Sequence, residues 1–377
     1  MPVELYHLIA FLISVTVVLW TIPDVKTIGL KLGIVDRPNA RKIHKNPVVR
    51  VGGVSIFAGT ISALLIAWRL GGFASVAPDR QTEIWAVILG SICYFGIGFA
   101  DDLFNLTPIS RLLMQTAVAT ACWFMGVRID FLSVPFDGLI HVHWLSLPIT
   151  LFWLVGMANA INWIDGVDGL AAGVSGIAAV VMLVVTLFMD QPAAALIAAA
   201  LAGGALGFLR YNFNPAQIFM GDGGAYFMGF TLAAVGVIGL VKTTAITAVL
   251  LPYLILAVPI LDMSAVIFSR ISKGKSPFVA DKSHLHHWLL KAGISQRQTV
   301  LFIYALTFWV GSLAMGFSNI PSGWGYAIGA TMLLGYLGWQ VWRNSNKPYS
   351  RDDKQLENKP KTGVRSHRSG KNSNIEH

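Results

Sequence analysis

The sequence contains few charged residues, and this shortage sets it apart from ordinary soluble domains. Asp, Glu, Lys and Arg make up 12% of the 377 residues, while apolar types make up 55%; a soluble domain carries about 25% charged residues. Cysteine is also scarce, and Cys93 and Cys122 lie inside apolar runs, which favours two core residues over a disulfide or a metal site. The first twenty residues lack the basic segment and the small-residue cleavage signal of a secretory signal peptide. We therefore interpret them as a first membrane span.

Long apolar runs are what the sequence has instead, and eleven of them approach the length that crosses a bilayer. They fall near residues 5–23, 51–70, 84–100, 111–126, 145–161, 170–189, 193–210, 223–241, 244–268, 299–317 and 323–342. The pattern predicts an all-α polytopic membrane protein whose transmembrane catalytic domain covers residues 1–342. From Arg343 to His377 the chain is polar and basic, which predicts a disordered tail.

Basic residues are unevenly distributed among the predicted loops, and this distribution predicts the orientation. Of the 28 Lys and Arg residues, four lie in one set of loops, at Arg69, Arg80, Arg128 and Lys242. The others lie in the tail and in the loops 24–50, 101–111, 210–222 and 269–298, on the same side as the loop 159–169, which contains none. Because basic loops stay in the cytoplasm, we expect this second set and the C-terminus to be cytoplasmic and the N-terminus to lie outside.

Four polar clusters at the ends of the apolar runs fall on the predicted cytoplasmic side. They are Asp101 and Asp102 after the third span, Asn159, Asn162, Asp165 and Asp168 after the fifth, Asn212 and Asp222 before the eighth, and Arg270, Lys273, Lys275, Asp281, Lys282, His284, His286 and His287 after the ninth. Charges at the ends of spans are energetically costly and commonly functional. The five carboxylates of the first three clusters would repel one another around one site unless cations neutralised them. Oxygen ligands favour Mg²⁺ for this purpose, with Mn²⁺ as an alternative.

Each of these clusters also has a simpler structural interpretation. Asp101 and Asp102 could cap a helix, and Asp222 could be the N-cap of the eighth span. Asp165 and Asp168 would share a face if they were helical, but they could equally belong to an Asp-Gly turn. The histidines could form a solvated loop. Their common placement on one side favours a shared site over separate structural roles.

Five motifs, in this order and spacing, resemble the polyprenyl-phosphate N-acetylhexosamine-1-phosphate transferases. They are VDRPNARKIHKNPVVRVGG, GFADDLFNL, NAINWIDGVDGL, NFNPAQIFMGDGG and the histidine loop, over about residues 25 to 300. This family includes the phospho-MurNAc-pentapeptide transferase and the undecaprenyl-phosphate GlcNAc-1-phosphate transferases. The resemblance implies a multi-pass plasma (inner) membrane enzyme with a cytoplasmic active site. Such an enzyme moves a sugar-1-phosphate from a UDP-sugar to a polyprenyl phosphate, the first membrane step of a cell-envelope polysaccharide.

The resemblance also implies roles for individual residues. Asp101 engages or deprotonates the lipid phosphate, Asp102 neighbours the metal and the diphosphate, and Asp222 is the main Mg²⁺ ligand. The nucleotide and diphosphate pocket consists of Asn162, Asp165, Asp168 and Asn212. The remaining predicted substrate contacts are the basic residues Lys45, Arg111 and Arg270 and the histidines His284, His286 and His287, which hold the sugar and diphosphate.

Two departures from the family pattern concern the metal and the donor. The last position of the aspartate motif is Asn105, which weakens the case for a third metal-binding carboxylate there. The histidines read His284-Leu285-His286-His287 where the peptidoglycan enzyme has three in succession, and this favours UDP-N-acetylhexosamine over UDP-MurNAc-pentapeptide. Outside this family, a transporter with a carboxylate relay and a non-catalytic scaffold for lipid diphosphates are the alternatives. We expect no nucleic-acid partner, and the oligomeric state, including a homodimer, stays open.

Overall fold

The computed structural model of the protein describes residues 2–36, 47–74, 76–134, 138–241, 250–274 and 284–345. The described chain is predominantly helical. Its helices are α1 (Val3–Lys31), α2 (Gly53–Arg69), α3 (Pro78–Phe104), α4 (Pro108–Phe124), α5 (Ser146–Ile164), α6 (Leu170–Phe188), α7 (Pro192–Asn212), α8 (Gly221–Gly236), α9 (Leu251–Ile255), α10 (Ala257–Ser272), α11 (Leu285–Lys291), α12 (Gln296–Phe317) and α13 (Gly323–Ser345). A π-helical segment, Val237–Val241, continues α8.

Seven of the described helices are long and apolar enough to cross a membrane, and α2 is a shorter apolar helix. The seven are α1, α3, α5, α6, α7, α8 with the start of its π-helical extension, and α12. The protein is therefore a helical multi-pass membrane protein, as the composition predicts. The runs predicted near 111–126 and 323–342 are also helical, in α4 and α13, while the number of eleven spans stays a prediction.

The ninth predicted span, near residues 244–268, differs from a single continuous helix where it is described. Its part from residue 250 onward consists of two helices, α9 and α10, which meet at Leu256 with φ −102° and ψ 17°. Pro259 lacks the N–H that would bond to the carbonyl of Ile255, and its ring would collide with that carbonyl. The proline therefore explains the break one turn before it.

Helix α8 lies at the centre of the bundle, with every side chain from Gly223 to Gly236 buried. It packs closely on α3, because a Cβ added at Gly98 would lie 2.3 Å from the carbonyl oxygen of Asp222. A buried hydrogen bond of 2.8 Å between the Ser91 and Thr231 hydroxyls fixes the register of the two helices. This register brings the last turn of α3, with its two aspartates, beside the first turn of α8.

Two antiparallel strand pairs occur in the connections, where the sequence patterns predict only loops. The pair β1 (Val35–Asp36) and β2 (Val48–Val49) joins the chain before and after residues that lie outside the description. The pair β3 (Phe131–Val134) and β4 (Gly138–His141) lies between α4 and α5. The chain after β2 is tied to the segment before α8, because Phe219 N–H donates to the Val49 carbonyl at 2.8 Å. This tie positions the start of α8.

Candidate active site

Asp102 caps the first turn of α8 from the end of the neighbouring helix α3. Its Oδ1 accepts the backbone N–H of Asp222 and its Oδ2 accepts that of Gly223, each at 3.0 Å. A carboxylate at this position satisfies two otherwise unpaired helix donors and complements the positive end of the helix dipole. Asp222 is therefore not the cap of its own helix. It lies in the first turn of α8, and Asp102 performs the capping.

The side chain of Asp222 contacts residues from two other helices, and one of these residues links it to a third helix. Its Oδ1 accepts a hydrogen bond from Asn162 Nδ2 of α5 at 2.6 Å. Its Oδ2 lies 3.7 Å from Arg111 Nη1 of α4. The same Arg111 nitrogen donates to Asp101 Oδ2 of α3, whose Oδ1 accepts the Leu106 N–H. These contacts place Asp101, Asp222, Asn162 and Arg111 in one polar centre at one end of the bundle.

The carboxylates of this centre differ in how open they are. The side chain of Asp222 is 35% exposed, whereas Asp101 and Asp102 are only 5% and 6% exposed. Both oxygens of Asp102 already accept backbone N–H groups. Asp222 is therefore the carboxylate of this group that a ligand or a metal ion reaches most directly.

A second arginine, Arg50, which is absent from the predicted site, joins the centre from the segment after β2. Its Nη2 donates to the carbonyl oxygen of Asp102 and lies 3.5 Å from Asn105 Oδ1. Asn105 ends α3 in the left-handed conformation, with φ 51°, a position where asparagine is one of the favoured non-glycine residues. The asparagine that replaces the family's third aspartate thus contributes to the helix end.

Glycine is required at the start of α8. Gly221 has φ +75°, and a Cβ added there would lie 2.1 Å from the Arg50 carbonyl oxygen and 2.6 Å from Asp102 Oδ2. The FMGDGG motif therefore lets three segments converge without a side chain between them.

One turn deeper in the bundle, two amide side chains support the centre. Asn159 Nδ2 donates to Gln115 Oε1 at 2.7 Å, and Gln115 is fully buried. Asn159 lies three residues before Asn162, and Gln115 lies four residues after Arg111, so each is one helical turn from a residue of the centre. The pair links α4 to α5 directly below Arg111 and Asn162.

Asp165 and Asp168 lie in a turn between α5 and α6, so they do not share a helical face. Asp168 Oδ2 accepts hydrogen bonds from Asn214 Nδ2 at 3.1 Å and from the Ala216 N–H at 3.0 Å. Asp168 thus links this turn to the segment before α8 through hydrogen bonds. Its predicted role in the nucleotide pocket stays a prediction.

Asn212 has a similar local position. Its Oδ1 accepts the Gly169 N–H at 3.1 Å and its Nδ2 donates to the Ile218 carbonyl at 2.9 Å. It is buried, and both ends of its amide hold the two segments together. Its assignment to the nucleotide pocket also stays a prediction.

Asp165 is the member of the turn with the altered acidity. Burial raises the pKa of its carboxyl to about 7, and the nearby charges of Asp102 and Asp168 contribute to the increase. A carboxyl that is readily protonated near neutral pH is a common property of functional sites. Asp165 therefore differs from Asp168, which the turn uses as a hydrogen-bond acceptor.

The three histidines form a stacked cluster on the other side of this turn. The rings of His284 and His286 are stacked with centroids 5.4 Å apart, and those of His286 and His287 are 4.4 Å apart. A Cβ added at Gly166 would lie 2.9 Å from His286 Nε2, so that ring rests on the turn. Burial lowers the pKa of His286 to about 4, and the neighbouring histidines contribute to the decrease. His286 is therefore neutral at physiological pH.

Helix α10 anchors the histidine cluster. Asp262 Oδ2 lies 2.8 Å from His284 Nδ1, and its Oδ1 accepts the Leu285 N–H at 2.7 Å. Two turns later on α10, the buried Arg270 guanidinium lies 4.9 Å from the centre of the Trp163 ring. Trp163 follows Asn162 in sequence, so α10 contacts both the histidines and the end of α5 that carries the polar centre.

Some predicted site residues lie outside the described part of the chain. Lys45 is one, and so are Lys275, Asp281 and Lys282 of the histidine loop. The structure therefore bears on Arg111 and Arg270 among the predicted basic contacts, and it brings Arg111 into direct contact with the carboxylates.

The donor chemistry of the centre fits a hard divalent cation. Within the described residues, no group of three His, Cys, Asp or Glu side chains has the spacing of a protein-only metal cage. Mg²⁺, however, is commonly held by one or two carboxylates together with substrate phosphates and water. The exposed carboxylate of Asp222, with Asp101 and Asp102 beside it, meets that requirement.

Asp262 and Arg50 are neighbours of the site that the sequence analysis did not assign to it, although Arg50 lies in the first motif. Asp262 is the single charged residue in the apolar run 244–268, and an ionisable residue inside a span is a functional candidate by default. That signal could have identified it. Arg50 directly precedes the Val-Gly-Gly that opens α2, but nothing in its local pattern distinguishes it from the basic loop residues that set the orientation of a membrane protein.

Fold and site together define a class of protein. It is a helical multi-pass membrane protein with aspartates and arginines gathered at one end of its bundle, a combination suited to binding anionic phosphates and a cation.

Comparison with known proteins gives the family. The sequence model described as glycosyl transferase family 4 matches residues 84–240. A probable undecaprenyl-phosphate N-acetylglucosaminyl 1-phosphate transferase of Bacillus subtilis is 37% identical over 80% of this chain and 82% of its own length. The chain therefore belongs to glycosyl transferase family 4, in agreement with the resemblance of its motifs.

Two further relatives have related names. A decaprenyl-phosphate N-acetylglucosaminephosphotransferase of Mycobacterium tuberculosis is 35% identical over 78% of this chain and 77% of its own length. An undecaprenyl-phosphate alpha-N-acetylglucosaminyl 1-phosphate transferase of Escherichia coli is 28% identical over 84% of this chain and 87% of its own length. All three names describe phosphotransferases that act on a polyprenyl phosphate.

Proposed function

We propose that this protein transfers N-acetylglucosamine-1-phosphate from UDP-GlcNAc to a polyprenyl phosphate, undecaprenyl phosphate in the first instance, and releases UMP. The observation that carries the proposal is the centre formed by Asp101, Arg111, Asn162 and Asp222 at one end of the bundle. The names of the relatives support the acceptor class and the sugar.

The reaction is a displacement at phosphorus. An oxygen of the lipid phosphate attacks the β-phosphorus of the donor, a new P–O bond forms, and the bond from that phosphorus to the bridging oxygen breaks. UMP leaves with that oxygen and its electron pair. Catalysis of such a step depends mainly on positioning and on electrostatic stabilisation.

The residues of the centre have distinct parts in this reaction. Arg111 binds phosphate oxygens while its contact with Asp101 fixes its orientation. Asp101 takes the proton of the attacking lipid phosphate. Asp102 fixes the N-terminus of α8 and thereby the position of Asp222. Asn162 holds Asp222 at 2.6 Å.

We also propose that the enzyme requires Mg²⁺, with Mn²⁺ as a substitute. Asp222 would hold the ion, with Asp102 beside it, and the ion would supply neutralising charge for the diphosphate. Its charge would offset the excess of carboxylates, which Arg50 and Arg111 balance only in part.

The histidine cluster is the element that we assign to the donor sugar. Its His-x-His-His spacing differs from the three successive histidines of the peptidoglycan enzyme, and this supports a UDP-N-acetylhexosamine donor. Phospho-MurNAc-pentapeptide transfer is the second candidate, and the same spacing counts against it.

The orientation belongs to the proposal as well. We propose eleven spans, with the N-terminus outside, the active site on the cytoplasmic face of the plasma membrane, and residues 343–377 as a basic cytoplasmic tail. The support is the concentration of Lys and Arg in one set of loops and the clustering of the site elements at one end of the bundle.

A donor panel tests the proposal. Purified protein receives undecaprenyl phosphate and Mg²⁺ with one UDP-sugar at a time, and UMP release is measured. We expect UMP with UDP-GlcNAc, dependent on the lipid and on the metal. Release with UDP-MurNAc-pentapeptide alone would favour the peptidoglycan reaction, and no release with any donor would refute an enzymatic role. Trapping of phosphorylated protein from the donor alone would indicate a two-step route through an aspartyl phosphate.

A further inference from the structure

The pairing of Asp262 with His284 has a chemical consequence for the histidine cluster. Both partners are buried, at 8% and 7% exposure, and Asp262 Oδ2 lies 2.8 Å from His284 Nδ1. The other oxygen of Asp262 accepts the Leu285 N–H. The carboxylate is thus held on two sides, so neither it nor the imidazole can turn without loss of a hydrogen bond.

The proton in this pair belongs on the imidazole. An unperturbed Asp has a pKa of about 3.9 and an unperturbed His about 6.5, so an ionised carboxylate beside a protonated Nδ1 is the favoured arrangement. An ionised carboxylate is only an acceptor. Neutral His284 therefore carries its single proton on Nδ1, and its Nε2 offers a lone pair.

The His284 ring lies beside Trp163, the residue that follows Asn162 of the polar centre. Within the described residues, Nδ1 is the only atom of the His284 ring for which a hydrogen bond is seen. The ring stands edge-on to Trp163, with centroids 6.3 Å apart, and Trp163 follows Asn162, the residue that binds Asp222. His284 is also stacked on His286, which rests on the turn beside Asp165.

We propose that Asp262 is a positioning residue, which fixes the tautomer and orientation of His284 so that Nε2 accepts a hydrogen bond from an O–H or N–H group of the sugar donor. The inference rests on the proposed function and extends it, because it assigns a part to a residue of α10 that lies in an apolar run. Asp262 itself does not touch the substrate.

The substitution Asp262→Asn separates this role from packing. The amide has the size of the carboxylate, and its Oδ1 still accepts the Leu285 N–H while its Nδ2 donates to His284 Nδ1. The proton of His284 then moves to Nε2, and the acceptor that faces the donor becomes a hydrogen-bond donor. The same change of tautomer is the explanation given for the Asp-to-Asn variant of serine proteases.

Kinetics give the first test. We expect Asp262→Asn to lower kcat/KM for UDP-GlcNAc by about 10- to 100-fold, as for loss of one strong hydrogen bond, with an unchanged KM for the lipid. Because Asp262 acts through His284, the substitution should have little further effect in a His284→Ala background. Asp130→Asn is the matched control, since Asp130 pairs with Arg128 at 2.9 Å in the connection between α4 and α5, and it should retain wild-type donor kinetics.

Spectroscopy gives a test that does not need activity. In protein labelled with ¹⁵N-histidine in lipid, the His284 signal, identified by its absence in His284→Gln, should show a proton on Nδ1 in the wild type and on Nε2 in Asp262→Asn. A wild-type proton on Nε2 would overturn the inference, as would additive effects in the double variant or wild-type donor kinetics in folded Asp262→Asn. If the wild type releases no UMP, the proposed function fails, while the position of the proton still decides the pairing.

Discussion

Replacement of Asp222 by asparagine separates the chemistry of the centre from its stability. The amide side chain keeps the size of the carboxylate, and its oxygen can still accept the hydrogen bond from Asn162. What is lost is one negative charge that faces the open side of the centre. We expect Asp222→Asn to fold normally and to lose transfer activity.

The contacts of Asp222 determine the expected changes in stability and in transfer activity. The Asp222 carboxylate lies 3.7 Å from Arg111 with the two side chains 35% and 26% exposed, and such a pair contributes about 0–1 kcal/mol. Its removal also relieves repulsion with Asp101, so the net change in stability should be within about 1 kcal/mol. An amide is a much weaker Mg²⁺ ligand than a carboxylate, and loss of one fixed electrostatic partner lowers kcat by about 10²- to 10³-fold.

Asp102→Asn provides the matched comparison, because it is the same substitution at a neighbouring carboxylate. Asp102 accepts two backbone N–H groups at 3.0 Å, and asparagine has only one oxygen for them. One donor is left facing an NH₂ group, so we expect a loss of about 2–4 kcal/mol. Asp102→Asn should therefore lower the unfolding temperature clearly, while Asp222→Asn should not.

The assay combines thermal unfolding in detergent with UMP release at saturating Mg²⁺ for both variants. Near wild-type turnover by Asp222→Asn would contradict its assignment as the main metal ligand. Equal unfolding temperatures of Asp102→Asn and the wild type would contradict the capping of α8.

Three further predictions address other parts of the molecule. Burial raises the Asp165 pKa to about 7 from about 3.9 in an unfolded chain. The stability that the protonated Asp165 carboxyl contributes is therefore complete below about pH 4 and is lost as pH rises through 7. In EDTA the loss of this contribution should lower the stability at pH 8 relative to pH 5 by at most about 3 kcal/mol, and Asp165→Asn should shift the measured difference by that amount; an unchanged pH dependence in Asp165→Asn would refute the burial of the charge. His284→Ala and His287→Ala should each lower kcat/KM for UDP-GlcNAc by roughly 10- to 1000-fold and affect the lipid far less, and unchanged donor kinetics in both would refute the donor role. Deletion of residues after 346 should leave kcat in detergent unchanged, and a folded but inactive truncation would refute the dispensable tail.

The helical membrane architecture could be predicted from the sequence because bilayer thickness and hydropathy determine it almost alone. The same signal could not reveal the break between α9 and α10, since both halves are equally apolar and the break depends on Pro259. The first strand pair could not be predicted for a related reason, because β1 and β2 are two residues long each and two residues carry no periodicity.

The polar centre could be located from its position at the ends of predicted spans, but the partners within it could not be predicted. The neighbours Asp101 and Asp102 have different partners, Arg111 for one and the N-terminus of α8 for the other. Only the packing of α3 on α8, which Gly98 permits, determines which aspartate contacts Arg111 and which one caps α8. Asp168 likewise has the local pattern of a site residue, but its hydrogen bonds join two segments 46 residues apart.

The fate of the β-phosphate tests the central claim most directly. The donor is UDP-GlcNAc labelled with ³²P at the β-phosphate and with ³H in the sugar, and the lipid fraction is extracted after incubation with undecaprenyl phosphate, Mg²⁺ and the purified protein. If the protein transfers a sugar-1-phosphate, both labels enter the lipid in a ratio of about one to one, as the displacement at the β-phosphorus requires, and UMP is the nucleotide released. Tritium in the lipid without ³²P, together with UDP in solution, would contradict the account, since it would mean that the sugar alone is transferred.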